Sequence, residues 1–319
     1  DPELSRGLGD VYKRQPRERA KKLLEGKGKY VDDILLPRMA HLSYVRSPFA
    51  HAKIKSINTE NAKKYPGVLN VFTISDIEKV CSPWQGVLGH LGEMRSPTQY
   101  PLAKDIVRWQ GEPVAVVVAN KRAVAEDASE LVEIDYEDLD AQLDMETAMD
   151  KSTKVIHDDL GNNLFWTRTV NQGDVSEAFK QSHIVEEVTL DFARHTGVTL
   201  ETRAIVADWD SSEEKMTVYH NGQAPHMMQS IIAKHLNLSE GLVRIISCDV
   251  GGSFGIKVHV YPDEMVTVAV SKLLKRPVKF VADRLESYST DIHSRCHKIS
   301  GKIGVDDKGK ILAFEIDDL

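Results

Sequence analysis

Val250-Gly251-Gly252-Ser253-Phe254-Gly255 decides the reading of this chain, together with Asn221-Gly222-Gln223-Ala224-Pro225-His226 upstream. Gln223 and Phe254 lie 31 positions apart (254 minus 223). Gly251, Gly252 and Gly255 carry no Cβ, so backbone N–H groups there can come close to a bulky anion. A Gln side-chain amide offers two N–H donors, which suit a ligand oxygen that can only accept. Strand patterns over 216–220 and 242–247 run directly into the two motifs. The sequence predicts a helix over 225–235 after the first. After the second, Pro262 with Asp263 and Glu264 opens another, reaching 274. A strand is expected over 278–282, and a hairpin at Asp306-Asp307-Lys308-Gly309.

Working outward, 40–46, 52–57 and 68–73 read as strands, with a short helix over 59–65 stopped by Pro66-Gly67. The stretch 82–100 reads as a loop. The continuous apolar run 114–119 suits a strand buried on both faces. A helix is expected over 122–131, its apolar face made by Val124, Ala125, Ala128, Leu131 and Val132, and a strand over 132–136. A polar stretch follows. Asp174 then reads as the N-cap of a helix over 175–181, before strands over 184–192 and 204–208.

The two motifs together resemble the molybdenum-cofactor large subunit of the xanthine dehydrogenase, aldehyde oxidase and carbon monoxide dehydrogenase family. In that family a Gln in a turn and a G-G-x-F-G loop meet the molybdenum at about this spacing. Gly26-Lys27-Gly28-Lys29-Tyr30-Val31-Asp32-Asp33 matches the family's opening G-x-x-x-Y-x-x-D. The resemblance implies an α+β chain. Residues 16–149 would form an α/β hammerhead domain, 150–172 a linker, and 173–319 the first, incomplete part of a molybdopterin-binding domain. Residues 1–15 are expected to be a non-native assembly scar, since Asp10-Val11-Tyr12-Lys13-Arg14-Gln15 is what a sequencing-library transposon end encodes. The chain is expected to be a gene fragment.

The resemblance further implies a molybdenum hydroxylase that inserts water-derived oxygen into an aldehyde, a heterocycle or carbon monoxide. Its cofactor would be molybdenum-molybdopterin, including the cytosine dinucleotide form. Gln223, Gly251, Gly252, Phe254 and Gly255 would face the cofactor, with Gln223 and Phe254 beside the metal. Phe254 and Val258 would face substrate. Val258 stands where purine-oxidising members carry a Glu, and an apolar side chain disfavours purines. The general base, a Glu in the family, is expected beyond Leu319, so the fragment alone should be inactive. An Fe-S small subunit and an FAD medium subunit are the implied partners, in a dimer of heterotrimers in the cytoplasm.

Composition agrees with a soluble enzyme subunit. Lys and Arg number 41 against 48 Asp and Glu, which argues against nucleic acid as a partner. No apolar run approaches the roughly 20 residues that span a bilayer. The 3 cysteines are scattered, as in a reduced chain, and too few for an iron–sulfur cluster. Two other readings compete. Gly251-Gly252-Ser253-Phe254-Gly255 also fits the G-x-S-x-G elbow of serine hydrolases, with Asp283, Asp291, His293 and His297 as the available partners. That elbow needs a helix directly after the Ser, whereas 256–261 reads as extended. The second is a cofactor-free scaffold of the same fold. Ser253 replaces the family's third glycine, which a negative φ would permit. Glu201-Thr202-Arg203 matches a family E-P-R stretch, and Arg284 with Glu286 a family R-x-E. Both read as structural ion pairs, and His226 as a structural histidine on its helix.

Overall fold

The computed structural model describes residues 20–86 and 91–319; the stretch read as a scar lies outside them. The helices are α1 (Ala20–Leu24), α2 (Glu60–Lys64), α3 (Ile74–Ile77), α4 (Arg122–Ser129), α5 (Val175–Gln181), α6 (Pro225–His235), α7 (Pro262–Leu274) and α8 (Arg284–Thr290). The strands are β1 (Ala40–Arg46), β2 (Ala52–Asn58), β3 (Val68–Thr73), β4 (Ile106–Val107), β5 (Pro113–Ala119), β6 (Glu133–Asp138) and β7 (Ile184–Phe192). They continue with β8 (Ala204–Asp210), β9 (Lys215–His220), β10 (Val243–Ser247), β11 (Val278–Val281), β12 (His297–Val305) and β13 (Ile311–Asp318). The chain is α+β, as expected.

One sheet of seven strands, ordered β10-β9-β8-β11-β1-β5-β3, draws strands from both halves of the chain. The seam is β1 against β11, parallel, with Ala40 opposite Val278 and His41 opposite Lys279. The long apolar run becomes β5, buried along its whole length because both its faces are covered. Val116 and Val118 turn into the main core with Leu42, Phe72 and Phe280. Ala115 and Val117 turn the other way, onto Ala62 of α2 and Ala128 of α4. Helix α4 ends at Ser129, earlier than its pattern suggests, and Leu131 is left partly exposed.

Helix α7 starts where Pro262 places it and is buried from Asp263 to Ser271. Its apolar side chains Met265, Val266, Val268 and Val270 sit under β8 and β11 in the main core. Its first turn carries the two acids into a buried charge cluster. Arg203, fully buried, donates from Nη1 and Nη2 to Asp263 at 2.6 and 2.9 Å. Its Nε donates to Asp291 at 2.6 Å, and its guanidinium lies 3.7 Å over the Tyr261 ring. Arg46, at the end of β1, reaches Asp263 at 2.9 Å and Glu286 at 2.6 Å. Burial alone would raise the Asp263 carboxyl; Arg203 and then Arg46 outweigh it and hold it at about 2.

A separate sheet, β13-β12-β7, has two unlike faces. On one, α5 packs at the end where Gly304 leaves room: a Cβ there would lie 2.3 Å from Ser182 Oγ. On the other, Val188, Gly301 and Ile316 share one register row, and Val188 and Ile316 are 53% and 55% exposed. Asp174 caps α5 by accepting from Glu177 N at 2.9 Å, as its position predicts. Among the described residues no helix is long and apolar enough to cross a membrane.

Asp263→Asn is expected to lower stability by about 3 kcal/mol at neutral pH, since it leaves two buried guanidinium groups short of a counter-charge. The folded-state carboxyl titrates at about 2, below its usual 3.8. Its contribution is therefore complete above pH about 4 and fades as pH falls through that window. Urea unfolding of both proteins from neutral pH down to pH about 2 checks this, and the gap between them should close in acid.

Candidate functional site

Strands β9 and β10 are parallel neighbours, and their last residues, His220 and Ser247, lie opposite each other. Both chains therefore leave the sheet at the same edge, side by side. Ligands commonly bind at such strand ends. The Gln223 turn leaves from β9 and the glycine loop from β10, which is why motifs 31 positions apart (254 minus 223) come together.

Side chains lock both motifs to the segment before β8. Asn221, fully buried, accepts from Ala204 N at 3.1 Å and donates to Thr202 O at 2.8 Å. Gly222 is required, because a Cβ would lie 2.3 Å from His220 Cε1. Gln223 itself is exposed. Its N–H donates to Lys257 O at 2.8 Å, and its Oε1 accepts from Lys257 N at 3.1 Å. A backbone N–H can only donate, so the side-chain atom it meets must be the oxygen. The Nε2 group is left pointing away, and among the described residues nothing accepts from it.

The glycine loop is pinned at Gly251, whose N–H donates to Glu201 Oε2 at 2.7 Å. The same oxygen accepts from Lys257 Nζ at 3.1 Å. Burial pushes the Lys257 ammonium pKa down, against the pull of Glu201. Gly252, Phe254 and Gly255 take φ values of 98°, 48° and 92°, while Ser253 keeps a negative φ. A left-handed Phe is strained, and strain of this kind gathers at functional sites. Phe254 is 78% exposed. Among the described residues, the N–H groups of Gly252, Ser253, Phe254 and Gly255 donate to no protein acceptor. Val258 is half-buried beyond the loop.

Several expectations need correction. Residues 256–258 form a 3₁₀ turn (Ile256–Val258) rather than an extended run, because Ile256 N bonds back to Ser253 O and Val258 N to Gly255 O. No α-helix follows Ser253 directly, and among the described residues no histidine bonds its hydroxyl. The hydrolase elbow is therefore not formed. Glu201 and Arg203 do not pair with each other: Glu201 pairs with Lys257, and Arg203 with Asp263 and Asp291. Arg284 donates to Leu200 O, whereas Glu286 belongs to Arg46. His226 is exposed in the first turn of α6 instead of packed. Lys257 was not singled out by sequence reasoning. The signal was a lone lysine between Ile256 and Val258, in a run otherwise suited to burial.

The molybdopterin cofactor-binding domain model matches residues 156–319, and the aldehyde oxidase and xanthine dehydrogenase a/b hammerhead domain model matches residues 25–140. The chain belongs to the large subunits of the molybdenum hydroxylase family. It is 36% identical to the nicotine 6-hydroxylase large subunit of Paenarthrobacter nicotinovorans, over 97% of this chain and 38% of that one. It is 32% identical to the carbon monoxide dehydrogenase large chain of Hydrogenophaga pseudoflava, over 95% of this chain and 39% of that one. Quinoline 2-oxidoreductase from Pseudomonas putida 86 superimposes with a TM-score of 0.91 at 30% identity, covering 95% of this chain and 38% of that chain. The chain thus spans about two fifths of the length of the curated relatives it matches.

Gly251→Ala should disturb the loop, since its Cβ would lie 2.4 Å from Glu201 Cβ. The expected cost is about 1–3 kcal/mol. Urea unfolding of the variant measures it, and a midpoint equal to that of the native chain would contradict the close contact.

Proposed function

We propose that this chain is part of the large subunit of a molybdenum-dependent hydroxylase acting on an electron-poor aromatic nitrogen heterocycle. The observation that carries the reading is one sheet edge presenting the Gln223 amide and four backbone N–H groups at 252–255, where among the described residues neither the Nε2 hydrogens nor those N–H groups find an acceptor. Such a set can only donate, so it would suit an anionic molybdopterin cofactor rich in acceptor atoms. When bound, the cofactor supplies the two-electron oxidation and the delivery of water-derived oxygen.

The chain's own residues would bind and orient. Gln223 Nε2 would donate to an acceptor atom of the bound cofactor, its direction set by the Lys257 N–H on Oε1. Gly252 and Gly255 would let the loop backbone approach the pterin closely. Phe254 would offer a flat apolar face to substrate. Val258 can neither donate nor accept, which leaves a purine's polar edge unsatisfied and favours a less polar ring. The relatives named for nicotine and quinoline support a heterocycle over an aldehyde. Electrons would leave through an Fe-S subunit and an FAD subunit, in a dimer of heterotrimers, with the cofactor as its cytosine dinucleotide. The general base would lie outside residues 1–319.

In the complete subunit assembled with its partners, Gln223→Ala should lower kcat about 100-fold while molybdenum content holds. Nicotinate or quinoline should be oxidised and xanthine left untouched. Oxidation of carbon monoxide or of an aldehyde alone would overturn the substrate class. A native assembly that takes up no molybdenum would overturn the whole reading and favour the cofactor-free scaffold.

A further inference from the structure

We propose that Lys257 is a positioning residue that sets the distance between the Gln223 amide and the glycine loop, an inference that rests on reading this sheet edge as the cofactor face. Its side chain is only 1% exposed and makes one ion pair, to Glu201 Oε2 at 3.1 Å. That oxygen also holds the Gly251 N–H at 2.7 Å, and Glu201 N–H returns to Gly251 O at 3.2 Å. Among the described residues Glu201 Oε1 is buried without a partner, so the Oε2 contacts carry the whole carboxylate. Lys257 also takes Gln223 by its backbone, through one bond in each direction at 2.8 and 3.1 Å.

The result is a closed ring. Gln223 is fixed to the Lys257 backbone, the Lys257 ammonium to Glu201, Glu201 to Gly251, and the chain runs from Gly251 back to Lys257. The loop from 251 to 257 is held at both ends by one carboxylate: directly at the first, and through the ammonium at the second. A buried carboxylate without its cation would be driven toward water, carrying Gly251 with it. A neutral side chain at 257 would keep the two backbone bonds to Gln223 but release the loop. The Arg203 cluster differs here, since it holds α7 and α8 and bonds neither Gln223 nor the loop.

Hydrogen exchange on the 319-residue chain tests the ring without any cofactor. Lys257→Met should speed exchange about tenfold at Gly251 and Glu201, whose N–H groups the carboxylate contact holds, the scale of one charge-assisted hydrogen bond, while the Gln223 N–H keeps its bond to Lys257 O. Protection in β8, β9 and α7 should stay as it is. Lys257→Arg, which keeps the charge, should restore most of the protection. If Lys257→Met does not fold, Glu201→Gln should give the same local pattern. Unchanged exchange, or faster exchange spread evenly through β8, β9 and α7, would overturn the proposal. In the assembled enzyme, Lys257→Met should retain molybdenum yet shift the metal's electron paramagnetic resonance signal, and an unshifted signal would also overturn it. If the exchange pattern holds but the native assembly binds no molybdenum, the ring stands and the functional reading falls.

Discussion

Arg203 is sealed from water with two carboxylates bonded to it, and the placement of the site residues follows from that constraint. A buried guanidinium demands counter-charges, and here they come from two separate elements: Asp263 in the first turn of α7 and Asp291 at the end of α8. Arg46 joins the end of β1 to Asp263 and to Glu286 of α8. Glu201 sits two residues ahead of Arg203, and Pro262 four residues past Val258. Arg203 and Asp263 thus lie close in the chain to the two ends of the glycine loop, whose own anchors are Glu201 and Lys257. Such clusters add little net stability compared with an apolar core of equal shape. What this one supplies is registration of α7 and α8 against the sheet.

Two levels of organisation produce the site. Parallel pairing of β9 and β10 brings the motifs to one edge, which is a property of backbone topology alone. Side chains then aim them: Asn221 and Glu201 reach back to neighbouring backbone, and Gly222 and Gly251 leave the space those contacts need. The donors left over, at Gln223 and along 252–255, meet no acceptor among the described residues. Exposed donors on a rigid edge suit a ligand that arrives as an anion.

Most strands and helices were legible in the sequence, because their periodicities are clean. The all-buried β5 announced itself as an uninterrupted apolar run, and α7 as Pro262 followed by two acids. The motif pair pointed to the site because glycine and glutamine chemistry is local. Ion-pair partners were not legible. Glu201 and Arg203 are close in sequence but face different neighbours, one 56 and the other 60 positions away. Nothing local to a charged residue says which distant opposite charge it will meet. The short 3₁₀ turn after the loop was hidden for a related reason: Ile256 and Val258 favour strands, and a turn made by the glycines before them overrides that preference.

The single seam between β1 and β11 carries a consequence for synthesis. The edge of β1 is made early, while its parallel partner follows only after residue 277. At about 5–20 residues per second, a ribosome would leave that edge open for roughly 10–50 s. Throughout that interval the growing chain holds β3, β5 and β1 as a half-sheet with one bare side, a template for any stray strand. A factor that shields nascent chains would have its natural moment of action here, and slow codons between 120 and 200 would lengthen the exposure.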